Sequence, residues 1–591
     1  MPAYRPPLDD MRFVLRELLP AEGMAALPGA AEHDDDVIEA VLEEAGKLCT
    51  SVLHPINRSG DEEGCRYENG VVRTPAGFKE AYDGFAAGGW TGLAASPDYG
   101  GQGLPATVDT FVTEMLCSSN LAFSMYPALS HGAYKLIAAH GDEAQKRRFL
   151  PALVDGRWSG TMCLTEPQCG TDLGLVRARA EPAADGTWRV SGTKIFISAG
   201  DHDLTENILH LVLARTPGAP AGTRGLSVFL VPKYLVGDDG SVGARNGVAC
   251  AGIEKKMGIN ASATCTLNFD DAEGHLIGGR NQGMRAMFTM MNGARLAVAL
   301  HGLGIAEAAY QGAVAWAQER RQGRAPAGAR SPAEPADSIL VHADVRRMLL
   351  AMRARIEGAR ALAAVVAARL EHASHNPDPR ARQAADDFVS LLTPVVKASF
   401  TDMGSEAANL GVQVYGGHGY IRDNGMEQLV RDARICQIYE GTNGVQAMDL
   451  VGRKLGAHSG RYLRRFFHPV AEFIETHAGE ESMAEFVEPL ARHFRLLQKV
   501  TAWIAARGMA NPDEAAAGAV EYLRLLALVA MAWMWARMAA IALAHRDDAF
   551  HRAKLDTARF FMQRVLPESG ALAAMITAGS TSIMNFDDEA F

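Results

Sequence analysis

The period of the apolar residues changes twice along the chain, and this limits the folds open to it. Over the first 160 residues the spacing is helical. In "DDVIEAVLEEAGKLC", Val37, Ile38, Val41, Leu42 and Ala45 recur at three- and four-residue intervals, which puts them on one helix face. "TVDTFVTEMLCSSNLAF" and "HGAYKLIAAHG" continue the pattern, with Gly141 as a C-terminal stop and "PDYGGQGLP" as an intervening loop. From about Thr161 to Phe269 the segments shorten and become β-branched: "WRVSG", "TKIFIS", "ILHLVLART", "LSVFLVPK" and "TCTLNFD". Turns such as "ADG", "GDDG" and "RNG" separate them. This pattern predicts a small antiparallel β-domain rather than a βαβ array. Helical spacing returns from about Met284, as in the stripe Val345, Met348, Leu349, Met352 and Ile356. The predicted organisation is an N-terminal helical domain (1–160), a central β-domain (161–278), a helical bundle (279–455) and an Ala-rich C-terminal helical extension (456–591).

At 591 residues the chain is too long for a single core. Its formal charge of −11 argues against nucleic-acid or anionic-membrane partners, which reward basic surfaces. The eight cysteines contain no CxxC pair, so reduced thiols in a cytoplasmic protein, with no metal site, are expected. The N-terminal "MPAYRPPLDDMRFVLRELL" lacks a basic segment followed by an apolar core. Leu525–Ala544 could span a bilayer by length, but Arg537 interrupts it. A mid-span arginine is costly in lipid, so a buried helix is expected and no integral membrane segment.

Four motifs carry chemistry. In "MCLTEPQCGTDLG", Thr165, Gly170 and Thr171 offer hydroxyls and backbone N–H groups to the polar edge of a flat ligand. "SGTKIFISAG" places Phe196 and Ser198 two apart, on one strand face. "QVYGGHGY" lets backbone approach a phosphate closely, but no strand precedes it, so it is not a Rossmann fingerprint. Finally, "RICQIYEGTNGVQAMDL" sets Glu440 at the end of an apolar run. A buried carboxyl there would be a base with a raised pKa. The plainer reading is a solvated acid leading into a helix capped by Thr442 or Asn443.

Taken in order, "GWTGLAASPDYGGQGLP", "GDEAQKRRFLPALVDGRWSGTMCLTEPQCGTDLG", "KIFISAG", "ERRQGR", "QVYGGHGY" and "RDARICQIYEGTNG" resemble the acyl-CoA dehydrogenase family from about residue 35 to 455. The N-terminal "PLDDMRFVL" and the long helical C-terminus resemble its 3-(methylthio)propanoyl-CoA dehydrogenase-like branch. The resemblance implies the family fold, helical then β-barrel-like then helical bundle. It also implies FAD-dependent α,β-dehydrogenation of an acyl-CoA to the trans-2-enoyl-CoA, as in fatty acid metabolism. Electrons would pass to an electron-transfer flavoprotein.

Residue roles follow from the same resemblance. Glu440 falls on the α-proton base, whose own backbone N–H, with an FAD ribityl hydroxyl, holds the thioester oxygen in the family; flavin N5 is the hydride acceptor. Met162, Leu164 and Thr165 fall along the isoalloxazine. Phe196 stands where many members have tryptophan, and Ser198 replaces a threonine. Arg320 and Gln322 match the segment at the FAD diphosphate. Gln413, Gly416 and Gly417 would serve a neighbouring chain's FAD, which implies a homodimer or a dimer of dimers. Thr442 and Asn443 would face FAD. Thr171, Asn292, Arg295 and Gly441 fall at substrate positions. A common family glutamine beside FAD is replaced by Ala343, a departure at that point of the FAD site. An oxygen-using acyl-CoA oxidase, and a non-catalytic scaffold that keeps the fold, are the competing functions.

Overall fold

The computed structural model describes residues 2–28 and 34–591, and its contacts divide the chain into two compact units. One comprises residues 47–105 and 119–297. Its strands are β1 (Arg66–Glu68), β2 (Val71–Arg73), β3 (Trp158–Cys163), β4 (Arg179–Pro182), β5 (Trp188–Ser198), β6 (Asn207–Arg215), β7 (Leu226–Pro232), β8 (Tyr234–Val236), β9 (Val242–Arg245), β10 (Val248–Ile253) and β11 (Thr264–Ile277). Seven form one sheet in the order β10-β11-β5-β4-β6-β3, and β7 pairs with both β11 and β6. The path β11-β5-β4-β6-β7 therefore returns to β11 and closes a barrel, which removes edges that would template aggregation. β7 is buried along its whole length, and β6 along all but its last residue, as their nearly unbroken apolar runs require of strands covered on both faces.

The domain is not purely antiparallel. β3 runs parallel to β6, from Trp158 opposite Asn207 to Cys163 opposite Val212, and β4 meets β6 in parallel at Arg179–Arg215. Neither pair is joined by a hairpin, and only a tight hairpin forces antiparallel pairing. A second difference lies in β5. Between the pairs Lys194–Leu267 and Ile197–Cys265 the strand carries an extra residue, and Phe196 has φ of 58°. Simple alternation therefore does not by itself set the directions of Phe196 and Ser198.

The helix Leu121–His140 packs on β3 at Gly160, where a Cβ would lie 2.3 Å from that of Ala133. Asn120 caps this helix, its side chain accepting from the Phe123 N–H at 3.0 Å. Gly141 follows the last helical residue with φ of −69°. A left-handed turn is not the reason for glycine there; a Cβ would stand 2.7 Å from the Ile137 carbonyl oxygen.

The other unit, residues 1–46, 106–118 and 298–591, is helical. Its long helices are Ala343–His375, Pro379–Tyr415 and, from Val298 onward, the C-terminal part of Gly283–Glu319. Met348, Leu349, Met352 and Ile356 are buried as their spacing predicts. In Asp35–Leu48 the stripe is shorter than expected, since Leu42 and Ala45 are buried but Val37 is exposed. Among the described residues, one helix, Ala519–Leu543, is long and apolar enough to cross a membrane, and 83% of its apolar window is buried. Trp535 Nε1 on it donates to the Ala354 carbonyl at 2.9 Å. Its Arg537 pairs with Glu22 at 2.8 Å.

A buried ionic cluster links five segments of this unit. Arg360 pairs with Glu114 at 2.5 Å, with Glu307 at 2.6 Å and with Asp10; Lys554 pairs with Asp10 and, at 2.7 Å, with Glu357. Burial pushes the Glu114 carboxyl up to about 7 against the pull of Arg360, and Glu307 and Asp10 add to the rise.

Candidate active site

Seven residues, Gln437–Asn443, separate the helix Met426–Cys436 from the helix Asn443–Asp449 or open the latter. Glu440 sits here with φ of 55°, and Gly441 follows with φ of 85°. A left-handed conformation costs a glutamate on the order of 1 kcal/mol, so neighbouring contacts must hold it. Gln446, fully buried, donates from Nε2 to the Glu440 carbonyl at 3.0 Å. Lys397, also fully buried, donates from Nζ to the Gly441 carbonyl and to Asn443 Oδ1, both at 2.9 Å. Asn443 Nδ2 donates to Asp402 Oδ1 at 2.7 Å, and Gln437 Nε2 to the same oxygen at 2.7 Å. Lys397, Ala398, Thr401 and Asp402 are thus one face of Pro379–Tyr415 on which the turn rests.

The residue before Glu440 is fixed separately. The Tyr439 hydroxyl lies 2.6 Å from His301 Nδ1 and 3.5 Å from Cys436 Sγ. Burial pushes the His301 imidazole down to about 3, with Lys397 adding to the fall, so the ring is neutral. Burial likewise raises the Cys436 thiol to about 12 and the Tyr439 hydroxyl well above its ordinary value. Glu440 follows Tyr439 and is half-buried. Thr442 does cap a helix, its hydroxyl accepting from the Val445 N–H at 3.2 Å. The Asn443 amide is engaged by Lys397, Thr401 and Asp402, on the side of the turn that faces Pro379–Tyr415.

In the same unit, Arg320 and Gln322 are exposed at the start of the 320–337 loop. The loop is wound around Asp337, a fully buried carboxylate that accepts from the backbone N–H of Ala325 (3.0 Å), Arg330 (3.0 Å) and Ser331 (2.7 Å). Burial works against ionisation there, but these donors and Arg324 outweigh it and hold the carboxyl at about 2. His342 donates to the Gln322 carbonyl at 2.8 Å, and Ala343 is the exposed first residue of its helix. Gln413, Gly416 and Gly417 are exposed at the far end of Pro379–Tyr415, and Gly416 has φ of 62°. Trp316, one turn before Arg320, stacks on Tyr415 and tilts over His418. The arginine segment and the Gly-rich segment therefore lie side by side, with Tyr420 85% exposed beyond them.

The remaining predicted residues belong to the barrel unit. Met162 and Leu164 lead out of β3, and the Thr165 carbonyl accepts from the Ile195 N–H at 2.9 Å, which joins the 162–165 and 195–198 segments. A buried ion pair locks this junction. Lys194 Nζ donates to Glu166 Oε1 at 2.8 Å and to the Leu164 carbonyl at 2.9 Å, and Glu166 also accepts from the backbone N–H groups of Arg177 and Ala178. Burial opposes the Glu166 charge, but Lys194 and these donors keep its carboxyl below the ordinary value. Phe196 stands out 60% exposed, with Ser198 half-buried and Thr171 exposed. On Gly283–Glu319, Asn292 is exposed and Arg295 buried.

Sequence reading missed the residues that hold this framework: Lys194, Glu166, His301, Asp337, Lys397 and Gln446. One of them had a signal. Lys397 is the only charge in "LLTPVVKASF", and a lysine in so apolar a run must find partners when buried.

Known protein families match most of the chain. The acyl-CoA dehydrogenase N-terminal, middle and C-terminal domains match residues 36–157, 161–272 and 281–455, and an acetyl-CoA dehydrogenase C-terminal-like domain matches 466–587. The 3-methylmercaptopropionyl-CoA dehydrogenase of Ruegeria pomeroyi is 44% identical over 98% of this chain and 99% of its own. A butyryl-CoA dehydrogenase of Syntrophomonas wolfei is 33% identical over 98% of both chains. Among solved structures, an acyl-CoA dehydrogenase complexed with FAD from Bacillus anthracis superposes with a TM-score of 0.77 at 20% identity, covering 95% of this chain and 91% of its own. The chain belongs to the acyl-CoA dehydrogenase family.

Proposed function

We propose that this acyl-CoA dehydrogenase uses FAD to oxidise an acyl-CoA thioester between Cα and Cβ, with Glu440 as the base and 3-(methylthio)propanoyl-CoA as a substrate. The observation that carries the reading is Glu440 itself, a carboxylate held left-handed on a turn whose backbone is tied on both sides. The substrate assignment draws on the 44% identity to the Ruegeria enzyme over nearly the full chain.

Each part of the chain has a task in this reaction. Glu440 takes the α-proton, which is weakly acidic, so the carboxylate must be positioned and poorly solvated. The neutral, buried groups of Tyr439, His301 and Cys436 beside it support that requirement. In this reading the Glu440 N–H, carried on the left-handed turn, donates to the thioester oxygen, which gains charge as the proton leaves. Thr171, Asn292, Arg295 and Gly441 contact the acyl-CoA. FAD, when bound, supplies the acceptor for the hydride from Cβ.

The residues present fit such a cofactor. An exposed phenylalanine beside a junction locked by a buried ion pair suits a flat ring system, with Met162, Leu164, Thr165, Phe196 and Ser198 along it. Arg320 and Gln322, on a loop that Asp337 shapes, suit a diphosphate. Gln413, Gly416 and Gly417 lie beside them, and exposed Tyr420 and Ile421 supply apolar surface for a second subunit. This supports a homodimer in which both segments reach the partner's cofactor. Thr442 lies on the catalytic turn, and Asn443 acts from its buried side.

Electron-transfer flavoprotein is the assigned acceptor. A cytoplasmic location agrees with eight free thiols and the acidic charge. Four functional domains, 1–160, 161–278, 279–455 and 456–591, organise these tasks.

The test is anaerobic bleaching of the purified yellow enzyme by short, medium and long acyl-CoAs, with 3-(methylthio)propanoyl-CoA included. Bleaching by at least one, fastest with the thioether substrate, is expected. No bleaching by any of them overturns the dehydrogenase chemistry.

A further inference from the structure

We infer that Lys397 is a positioning residue for this reaction: from beneath the 437–443 turn, its ammonium holds the backbone that carries Glu440 and favours the ionised state of that base. The inference rests on the assignment of Glu440 as base.

The geometry is specific. Lys397 is fully buried, midway along Pro379–Tyr415, and donates at 2.9 Å to both the Gly441 carbonyl and Asn443 Oδ1. Those two acceptors flank Thr442, so a single ammonium closes the turn directly after Glu440. Gln446 holds the Glu440 carbonyl on the other side. Together they fix the peptide between Glu440 and Gly441, where two successive residues are left-handed. A neutral donor could make the same hydrogen bonds. A lysine adds a full charge, and because Lys397 itself is fully buried, water screens that charge poorly.

That charge acts on its surroundings. It contributes to the lowering of His301 and opposes the rise of Cys436, two groups that contact Tyr439. The charged and titratable groups facing the turn are Lys397 and Asp402 from Pro379–Tyr415, Asp432, Arg434 and Cys436 from Met426–Cys436, with Arg434 donating to Gln437 Oε1 at 3.0 Å, His301 from Gly283–Glu319, and Tyr439 on the turn itself. Of the two cations, Lys397 is fully buried beneath the turn and Arg434 is exposed to water. An adjacent positive charge favours a carboxylate, and its removal lets the proton return. A base desolvated by substrate needs such support to remain a base at neutral pH.

The experiment compares Lys397→Met, Lys397→Gln and Lys397→Arg in the anaerobic flavin-reduction half-reaction across pH, with Glu440→Gln alongside. Flavin content and thermal midpoint show which variants fold. The two neutral variants should move the acidic limb of the pH profile upward by about one unit. They should also slow reduction at neutral pH by about 10- to 100-fold. Lys397→Arg should leave the limb in place. Lys397→Gln keeps the donors without the charge, so the test stands if Lys397→Met does not fold. An unmoved limb in the neutral variants overturns the inference. A Glu440→Gln enzyme that reduces at the parent rate overturns the base assignment instead, and the two failures are distinguishable.

Discussion

Trp316 stacks on Tyr415 with ring centroids 4.7 Å apart and planes 14° from parallel. The pair joins the helix end that leads into Arg320 to the helix end that carries Gln413, Gly416 and Gly417. Stacked aromatic pairs contribute about 0.5–1.5 kcal/mol beyond their buried area, enough to set two exposed segments in register. Trp316→Ala should therefore loosen both at once. The expected outcome is a lower ratio of flavin to protein after gel filtration and a larger monomer fraction in sedimentation velocity. Parent enzyme loaded with flavin should sediment as a dimer or a dimer of dimers at micromolar concentration. A flavin-loaded monomer would refute the shared-site assignment.

Glu440→Gln keeps the side chain's shape and removes the base. Cofactor and acyl-CoA should still bind, while flavin reduction slows by about 10²- to 10⁴-fold, the range a positioned base contributes. Glu440→Asp withdraws the carboxylate by one methylene and should cost on the order of 10². The anaerobic half-reaction at saturating substrate is the measurement, because product release and acceptor docking cannot mask it. Parent-like rates in both variants would make Glu440 a solvated acid before the Thr442 cap.

Order and motif made most of the fold legible. The change from helical to alternating spacing near Thr161 located the barrel, and Glu440 stood out as an acid after apolar residues. Both readings use local patterns, which sequence carries directly. The parallel pairing of β3 with β6 was not legible, since it joins residues about fifty positions apart with other strands between them. The bulge at Phe196 was hidden for a related reason: it depends on a register shift against β11, not on the local run "TKIFIS". Lys194, Lys397 and Asp337 were passed over because a charged residue reads as surface until its partners are seen. Their partners are mostly backbone carbonyls and N–H groups, which no sequence pattern marks.

Tyr439→Phe isolates the support beneath the base. His301 Nε2 is buried with no partner among the described residues, so loss of the Tyr439 hydroxyl would leave Nδ1 unpaired as well. A buried polar atom deprived of its partner costs about 1–3 kcal/mol. A lower thermal midpoint is expected, with flavin retained and reduction slowed less than in Glu440→Gln. A midpoint equal to the parent's would show that His301 finds another partner.

The last prediction concerns the ionic cluster at Arg360. The Glu114 carboxyl is raised in the folded chain from 4.5 to about 7, chiefly by burial. A raised folded value means that folding favours the protonated group. Its contribution to stability is complete below about pH 4.5 and is lost as pH rises through 7. Glu114→Gln stays neutral throughout and should lack this dependence. The difference in unfolding free energy, parent minus variant, should therefore fall by about 1 kcal/mol per pH unit in the steepest part of that window. Arg360, Glu307 and Asp10 remain in both proteins, so their own titration largely cancels in the difference. Thermal or denaturant unfolding of both proteins at pH 5, 6, 7 and 8 reads it directly. A constant difference across that range would mean that Arg360 keeps Glu114 ionised throughout, and that the proton resides elsewhere in the cluster.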